Sequence, residues 1–240
     1  MAIVLIGIDD TDNATSPGTG RLARRLAEEI EERGTKVHGI TRHQFLLDDR
    51  IAYTSHNSGA CLAIEWNRSL GDLEFAIDLI SDWSAEGSDP GICIAFRDGV
   101  APDIIQWGWA ATREVLSRDG AIALARAHDA CLRPLGGNGD GIIGALAGVG
   151  LRADGNEGRF LDLPGLRMLA EFVDIRELLE IGIQVDHRTP VGAAHDRLRY
   201  KTMNWVRPRL VGGQPVWPVE WNEDEHAWIP VDRKRSRPLE

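Results

Sequence analysis

The first apolar run, Ala2 to Ile8, carries no polar side chain, and its β-branched and aliphatic residues form the pattern of a strand buried on both faces. It stops abruptly at "DDTDNATSPGTGR". Beyond that loop Leu22, Ala23, Leu26, Ala27 and Ile30 recur at helical spacing, which predicts a helix over 20–33 with Thr19 as its cap and Gly34 as its stop. Strands are predicted at 36–46 and 61–66 around the polar turn "AYTSHNSGA", and a helix at 73–84. "GSDPGICIAF" reads as a turn feeding a strand. Helical patterns follow over 102–109 and 110–127, the latter broken at Asp119-Gly120. "GIIGALAGVG" reads as an apolar helix capped by Asp140, its glycines allowing close approach to a neighbour. A further helix is predicted over 166–182, a hairpin at Gly212-Gly213 and a frayed tail at "DRKRSRPLE". Alternating strands and helices imply an α/β or α+β fold.

Composition narrows the function classes. The 240 residues carry a formal charge of −10, which argues against wholesale coating of nucleic acid or anionic membrane, although local basic patches stay open. The three cysteines, Cys61, Cys93 and Cys131, are far apart and form no C-x-x-C pair, so neither a disulfide framework nor a zinc ribbon is signalled. The start "MAIVLIGIDD" lacks a basic leader, and no apolar run reaches the roughly eighteen residues of a spanning helix. A cytoplasmic protein with no membrane partner is expected.

The aspartates carry the candidate chemistry. Alternation along a strand is expected to send Asp10 and Asp12 to one side and Asp9 to the other, near the following helix N-terminus. Paired carboxylates suit Mg²⁺, which takes oxygen ligands and bridges one or two carboxylates to substrate phosphates. Gly18, Thr19 and Gly20 then offer backbone N–H groups at a helix N-terminus to a phosphate, with Arg21 in the first turn. A purely structural turn gains nothing from three repelling aspartates, though a solvated acidic turn is the competing reading. The stretch lacks a P-loop, and an EF-hand begun at Asp10 would meet Thr15 and Arg21 where Gly and Glu are required. Asp10-x-Asp12 also matches the aspartyl nucleophile motif of haloacid dehalogenase-like phosphatases.

Other residues attract weaker expectations. His56, Asn57 and Ser58 could contact ribose or phosphate, or simply make the turn. Arg42 and His43 read as an exposed strand-edge pair, and "PLGGNGDG" as a flexible loop or a second anion loop. Between 197 and 219 Arg197, Arg199, Lys201, Arg207 and Arg209 interleave with Trp205 and Trp217, the best nucleic-acid feature in an acidic chain; a solvated hairpin with core tryptophans competes with it. His187 and His195 have no metal-ligand spacing and read as ordinary surface or core histidines.

The string "IGIDDTD" resembles the N-terminal kinase-like domain of archaeal tRNA(Ile) agmatidine synthetase. Ordered similarity continues through "IAYTSHNSGAC", "SDPGICIAF" and "DGIIGALAGVG", over residues 3 to 152. The resemblance implies ATP and Mg²⁺ as cofactors, with Asp9, Asp10 and Asp12 as metal residues, Asp10 and Asp12 central to catalysis, and phosphorylation of a carbonyl before an amine displaces the phosphate. It also implies an α/β (α+β) fold: a kinase-like domain at 1–66, a ferredoxin-like domain at 67–196 able to return elements to the first, and a basic C-terminal β-hairpin and tail at 197–240. Arg21 occupies the position of the family's autophosphorylated threonine, so a phosphothreonine relay is not expected there, and neither the OB-fold nor the zinc ribbon is expected. The first expectation is therefore an ATP-dependent phosphoryl-transfer or carbonyl-activating enzyme with a nucleotide partner, an RNA or small-molecule acceptor and homodimerisation left open. The alternatives are a non-catalytic nucleotide- or RNA-binding module and, less favoured, the phosphatase.

Overall fold

The structure is a computed structural model that describes residues 1–54, 56–189 and 199–231. His195, Arg197, the 196/197 boundary and the tail from 232 onward lie outside the described residues. In chain order the elements are β1 (Ala2–Asp9), α1 (Thr19–Glu32), β2 (Val37–Gln44), β3 (Ser58–Trp66), α2 (Glu74–Trp83), β4 (Gly91–Phe96), α3 (Pro102–Ala111), α4 (Arg118–Ala127) and β5 (Cys131–Pro134). They continue with α5 (Gly141–Asp154), β6 (Arg159–Asp162), β7 (Phe172–Val173), α6 (Ile175–Glu180), β8 (Gln184–His187), β9 (Tyr200–Lys201), β10 (Arg209–Val211), β11 (Gln214–Asn222) and β12 (Ala227–Pro230).

The fold is mixed α/β, with one mostly antiparallel sheet in the order β5-β4-β1-β3-β2-β6-β10-β11-β12-β9-β7 and β8 parallel to β11. β1 is central, paired antiparallel with β3 and with β4, so strands on both sides of residue 66 share the same sheet. The two-residue period of β1 feeds two cores. Val4, Ile6 and Ile8 pack under α1 and α2 with Ala23, Leu26 and Ile30. Leu5 faces the other way, onto Ile142, Ala145, Leu146 and Val149 of α5. A third core, built on Phe160, Tyr200, Trp217 and Trp228, consolidates the C-terminal strands.

Glycines set how closely α5 approaches the sheet. A Cβ on Gly7 would run into the carbonyl of Ala145, and one on Gly91 into the backbone of Gly141 and Ile142. Strand and helix backbones are thus in direct contact at these points.

Three expectations change. The helical break falls at 112–117 rather than at Asp119-Gly120, because Ser117 caps α4 by accepting the Gly120 N–H at 3.2 Å and so places both residues inside the first turn. The stretch 166–182 is not one helix: it holds a 3-10 turn at Leu166–Met168, then β7, then α6, which the Asp174/Glu177 capping box starts afresh. Its apolar residues repeat for the sake of the third core, and Phe172 and Val173 pair with β9. Arg42 and His43 are not on an edge, since β2 is flanked by β3 and β6. His43 is fully buried, with Thr41 Oγ1 2.8 Å from Nε2 and Glu157 Oε2 2.7 Å from Nδ1. No helix among the described residues is long and apolar enough to cross a membrane.

Gly91→Ala is expected to cost about 2–3 kcal/mol of stability through overpacking, whereas Gly71→Ala, whose Cβ would meet only Ser69 Oγ at 3.4 Å, stays near neutral. Urea denaturation of the two variants checks this contrast.

Candidate functional site

The acidic site grows from the end of β1. Asp9 is the last strand residue and belongs to the same alternating set as Leu5 and Gly7, so its carboxylate faces α5; a Cβ on Gly144 would overlap it. This corrects the expectation that Asp9 points toward the following helix. Asp10 leaves the strand in the left-handed region, φ 54°, which aspartate tolerates better than most residues. That turn brings all three aspartates to the lining of one cavity.

Asp12 is held at the N-terminus of α1. Its Oδ1 accepts from the Thr19 hydroxyl at 2.8 Å and from the Thr19 N–H at 3.3 Å, and its Oδ2 accepts from Thr54 Oγ1 at 3.0 Å. The expected cap is therefore reversed: Thr19 is the first helical residue, it makes no capping bond itself, and Asp12 satisfies its N–H from seven positions upstream. The loop between is braced by Asn13, whose Oδ1 accepts from the Thr15 and Ser16 N–H groups at 3.0 and 2.9 Å.

The cavity holds more acid than the opening motif suggests. Asp89, ahead of β4, and Asp140, ahead of α5, line it too, and the N-terminus of α5 reaches it through Gly141 and Gly144. Asp89 Oδ1 accepts from the Asn138 N–H at 2.6 Å, which ties the glycine-rich "GGNGD" loop to the site. Desolvation and then the charge of Asp10 push the Asp9 carboxyl up to about 8. Asp10 rises to about 6, first by burial and then by the charges of Asp89, Asp12 and Asp140. Such mutual repulsion is relieved by a bound cation. Among the described residues no group of three or more His, Cys, Asp or Glu side chains is placed so that it could hold a metal ion. Phe45, Ile51, Tyr53, Val115 and Leu116 add an apolar part to the lining.

A second cavity adjoins the first and is basic. Gly18, Thr19, Gly20 and Arg21 line it with Arg24 and Arg42, and the two cavities share Asp12, Thr19, Thr54, His56 and Ser58. Asp9, Asp10, Asp12, Gly18, Thr19, Gly20, Arg21, His56, Asn57 and Ser58, the residues expected to meet metal or nucleotide, therefore each border one cavity or both. Their tasks differ. Asn57 is committed to the turn, its Nδ2 donating to the Leu46 carbonyl at 2.7 Å while its own carbonyl accepts from the Phe45 N–H at 2.9 Å. Ser58 Oγ accepts from Arg42 Nε at 2.9 Å and so orients that guanidinium.

Sequence reading missed the extent of the positive side. Burial and then Arg167 lower the Arg24 guanidinium, and burial followed by Arg167 and Arg24 lowers Arg207, so these three arginines from distant segments lie near one another around Asp162, which Arg167 meets at 2.7 Å. The basic C-terminal stretch is accordingly not one patch. Arg207 stacks on Trp205 at 4.6 Å and joins that cluster, Lys201 pairs with Glu225 at 2.7 Å, and Trp217 is 1 % exposed in the core. Only a change of sign at distant positions could have flagged this, and periodicity does not carry it.

Over 62% of its length the chain shares the fold of solved tRNA enzymes. The chain is similar to a tRNA fluorescent labeling enzyme, at 26% identity and TM-score 0.55 over 62% of this chain and 36% of that one. It is likewise similar to the tRNA(Ile) agmatidine synthetase TiaS. The complex of TiaS with tRNA and ATP matches at 27% identity and TM-score 0.54, over 62% of this chain and 36% of the other. Apo TiaS matches at 25% identity and TM-score 0.53, over 62% and 35%. The resemblance read from "IGIDDTD" and the later segments thus has a structural counterpart, in which the chain spans about a third of the length of these enzymes. No protein-family model and no curated protein sequence matches it.

Asp9 and Asp10 make stability pH-dependent with a definite sign. The unfolded chain releases both protons near 3.8, whereas the folded protein keeps them to about 8 and about 6, so the folded state binds more protons in that window and stability falls as pH rises through it. The thermal midpoint in chelator is expected to drop between pH 5 and pH 8, and Asp9→Asn to remove most of the drop. Differential scanning calorimetry across that range measures it; an equal decline in Asp9→Asn would show that the pH sensitivity lies elsewhere.

Proposed function

We propose that this protein is a Mg²⁺- and ATP-dependent enzyme that transfers a phosphoryl group to, or activates a carbonyl of, an RNA acceptor. The observation that carries this reading is the junction of an acidic cavity and an arginine-lined cavity across one shared wall of Asp12, Thr19, Thr54, His56 and Ser58. Phosphoryl transfer needs both halves, one to hold the metal and one to stabilise charge on the phosphate. The likeness to TiaS structures that contain tRNA and ATP supports the same direction.

The donors fit a hard cation. They are carboxylate oxygens, those of Asp9 and Asp10 kept protonated first by burial and then by neighbouring carboxylates, and Mg²⁺ keeps several waters and takes one or two protein carboxylates. Asp10 and Asp12 would hold it, with Asp9 adding negative charge from the α5 side. When bound, Mg²⁺ would offset phosphate charge and orient the phosphate chain. The protein's own groups do the remaining work. The Gly20 N–H and the Arg21 side chain at the start of α1 would meet the transferring phosphoryl, the Thr19 N–H being taken by Asp12 and the Arg21 N–H by the Gly18 carbonyl, and the apolar side chains of Tyr53 and Val115 would take the base. Arg24 and Arg42, continued by Arg167 and Arg207, hold the phosphate backbone of the acceptor. Arg21 in the family's threonine position favours direct transfer over a covalent relay.

A second reading, a nucleotide- and RNA-binding module without turnover, is favoured by one observation: both oxygens of Asp12 are already engaged by Thr19 and Thr54. A Mg²⁺-dependent ATP turnover assay with product identification separates the two, ATP bound but never consumed supporting the module. Asp10→Asn keeps a residue that tolerates the left-handed backbone at φ 54° and is expected to abolish Mg-ATP binding or turnover in a folded protein. Wild-type levels of both would sink the assignment. Arg24→Gln with Arg207→Gln is expected to weaken RNA binding at least severalfold and flatten its salt dependence by roughly one phosphate contact per arginine, while ATP turnover without RNA persists. Unchanged salt slopes in a filter-binding titration would move the RNA elsewhere.

A further inference from the structure

At the other end of β1, about 20 Å from Asp9 by strand rise, lies a cavity that the proposed reaction does not use. Its volume is ≈ 520 Å³, and it is enclosed by the start of β1, the last turn of α5, the end of α6 and the β10–β11 turn. Arg152, near the C-terminus of α5, lines it and is 8% exposed. The Arg152 Nε has no hydrogen-bond partner, and the guanidinium forms no ion pair with any described residue; it lies over the Phe160 ring, 5.2 Å away. Arg97 lines the same cavity and is close enough to lower the Arg152 guanidinium further, after burial. The Arg97 guanidinium also lacks a carboxylate partner among the described residues. Cys61 beside Arg152 cannot serve as counter-ion, because burial pushes its thiol up to about 12. Lys36 and His38 complete the basic rim, but Glu65 already meets them at 3.7 and 3.0 Å.

A buried guanidinium is normally paired, because losing its hydration without a partner is costly. The buried, unpaired Arg152 and the exposed Arg97 line one cavity and leave a positive corner that a dianion would neutralise with bidentate hydrogen bonds, although the exposed Glu180 at the end of α6 also lines it. Leu5, Phe160, Leu163 and Ile181 contribute apolar lining beside the polar Glu180 and Gln214. The size falls within the roughly 300–1,000 Å³ usual for small-molecule sites.

We propose that this cavity is a second ligand site, which binds a small phosphomonoester through Arg152 and Arg97 and seats its apolar portion on Phe160 and Leu163. The site stands independently of the reaction proposed for the aspartates, since no residue is shared between the two.

Calorimetric titration of the full chain in phosphate-free buffer, with phenyl phosphate, inorganic phosphate and benzoate as probes, tests it. Wild type is expected to bind phenyl phosphate saturably, more tightly than inorganic phosphate and at least tenfold more tightly than benzoate. Arg152→Met is expected to lose that binding at least tenfold with its ligand-free melting midpoint unchanged or raised, since it removes an unpaired buried charge. Arg97→Gln, an exposed position, is expected to weaken binding severalfold and keeps the test decisive if Arg152→Met does not fold. Arg21→Gln leaves the affinity intact. Absence of saturable phenyl phosphate binding, wild-type affinity in both Arg152→Met and Arg97→Gln, a preference for benzoate, or loss of binding in Arg21→Gln instead would each overturn the proposal.

Discussion

Backbone-to-backbone contact between α5 and the centre of the sheet governs the rest of this structure. Side chains at Gly7, Gly91, Gly141 or Gly144 would strike backbone or the Asp9 carboxylate. Their absence lets α5 sink onto β1 and β4, where Leu5, Cys61, Cys93, Ala145 and Val149 fill the space that remains. The close approach also determines the chemistry. It desolvates Asp9 and places a second helix N-terminus beside the first, both opening where β1 ends. A methyl group in the wrong place would push the helix away and let water reach the carboxylates.

Charge is sorted on either side of Asp12. Five aspartates, at 9, 10, 12, 89 and 140, border one cavity, and Arg21 and Arg24 of α1 with Arg42 of β2 border its neighbour. Neither cluster is favourable alone, since each raises or lowers the protonation of its own members. Asp12 joins them because its two oxygens reach opposite ways, to Thr19 on the helix and Thr54 on the β2–β3 connection. The connection is in turn pinned by Asn57, whose Nδ2 donates to the Leu46 carbonyl.

The two ends of α5 serve different purposes. Its N-terminus presents Gly141 and Gly144 to the acidic cavity, whereas its last turn carries Arg152, a cation where the helix dipole favours one. That placement eases but does not remove the cost of burying the guanidinium without a partner. The walls around Arg152 combine residues of β1, β2 and β3 with residues after 154, beyond the α5 helix at which the sequence resemblance ends.

Much was legible from the residues alone. Unbroken apolar runs announce strands buried on both faces, 3.6-residue spacing announces α1 and α2, and a glycine pair announces the β10–β11 turn. The aspartate string was legible because three like charges in four positions have no structural use, and the ordered similarity through "DGIIGALAGVG" extended to the fold. What chain-local pattern could not carry was everything decided between segments: that Asp9 faces α5 and not α1, that Asp12 rather than Thr19 satisfies the helix start, that 166–182 divides among a turn, a strand and a helix, and that Arg24, Arg167 and Arg207 meet. Periodicity records which face of an element is buried, because burial acts residue by residue along the element. It does not record what lies opposite, and hydrogen bonds, charge pairs and close backbone contacts are properties of that opposite surface, which exists only once the sheet has brought distant segments together.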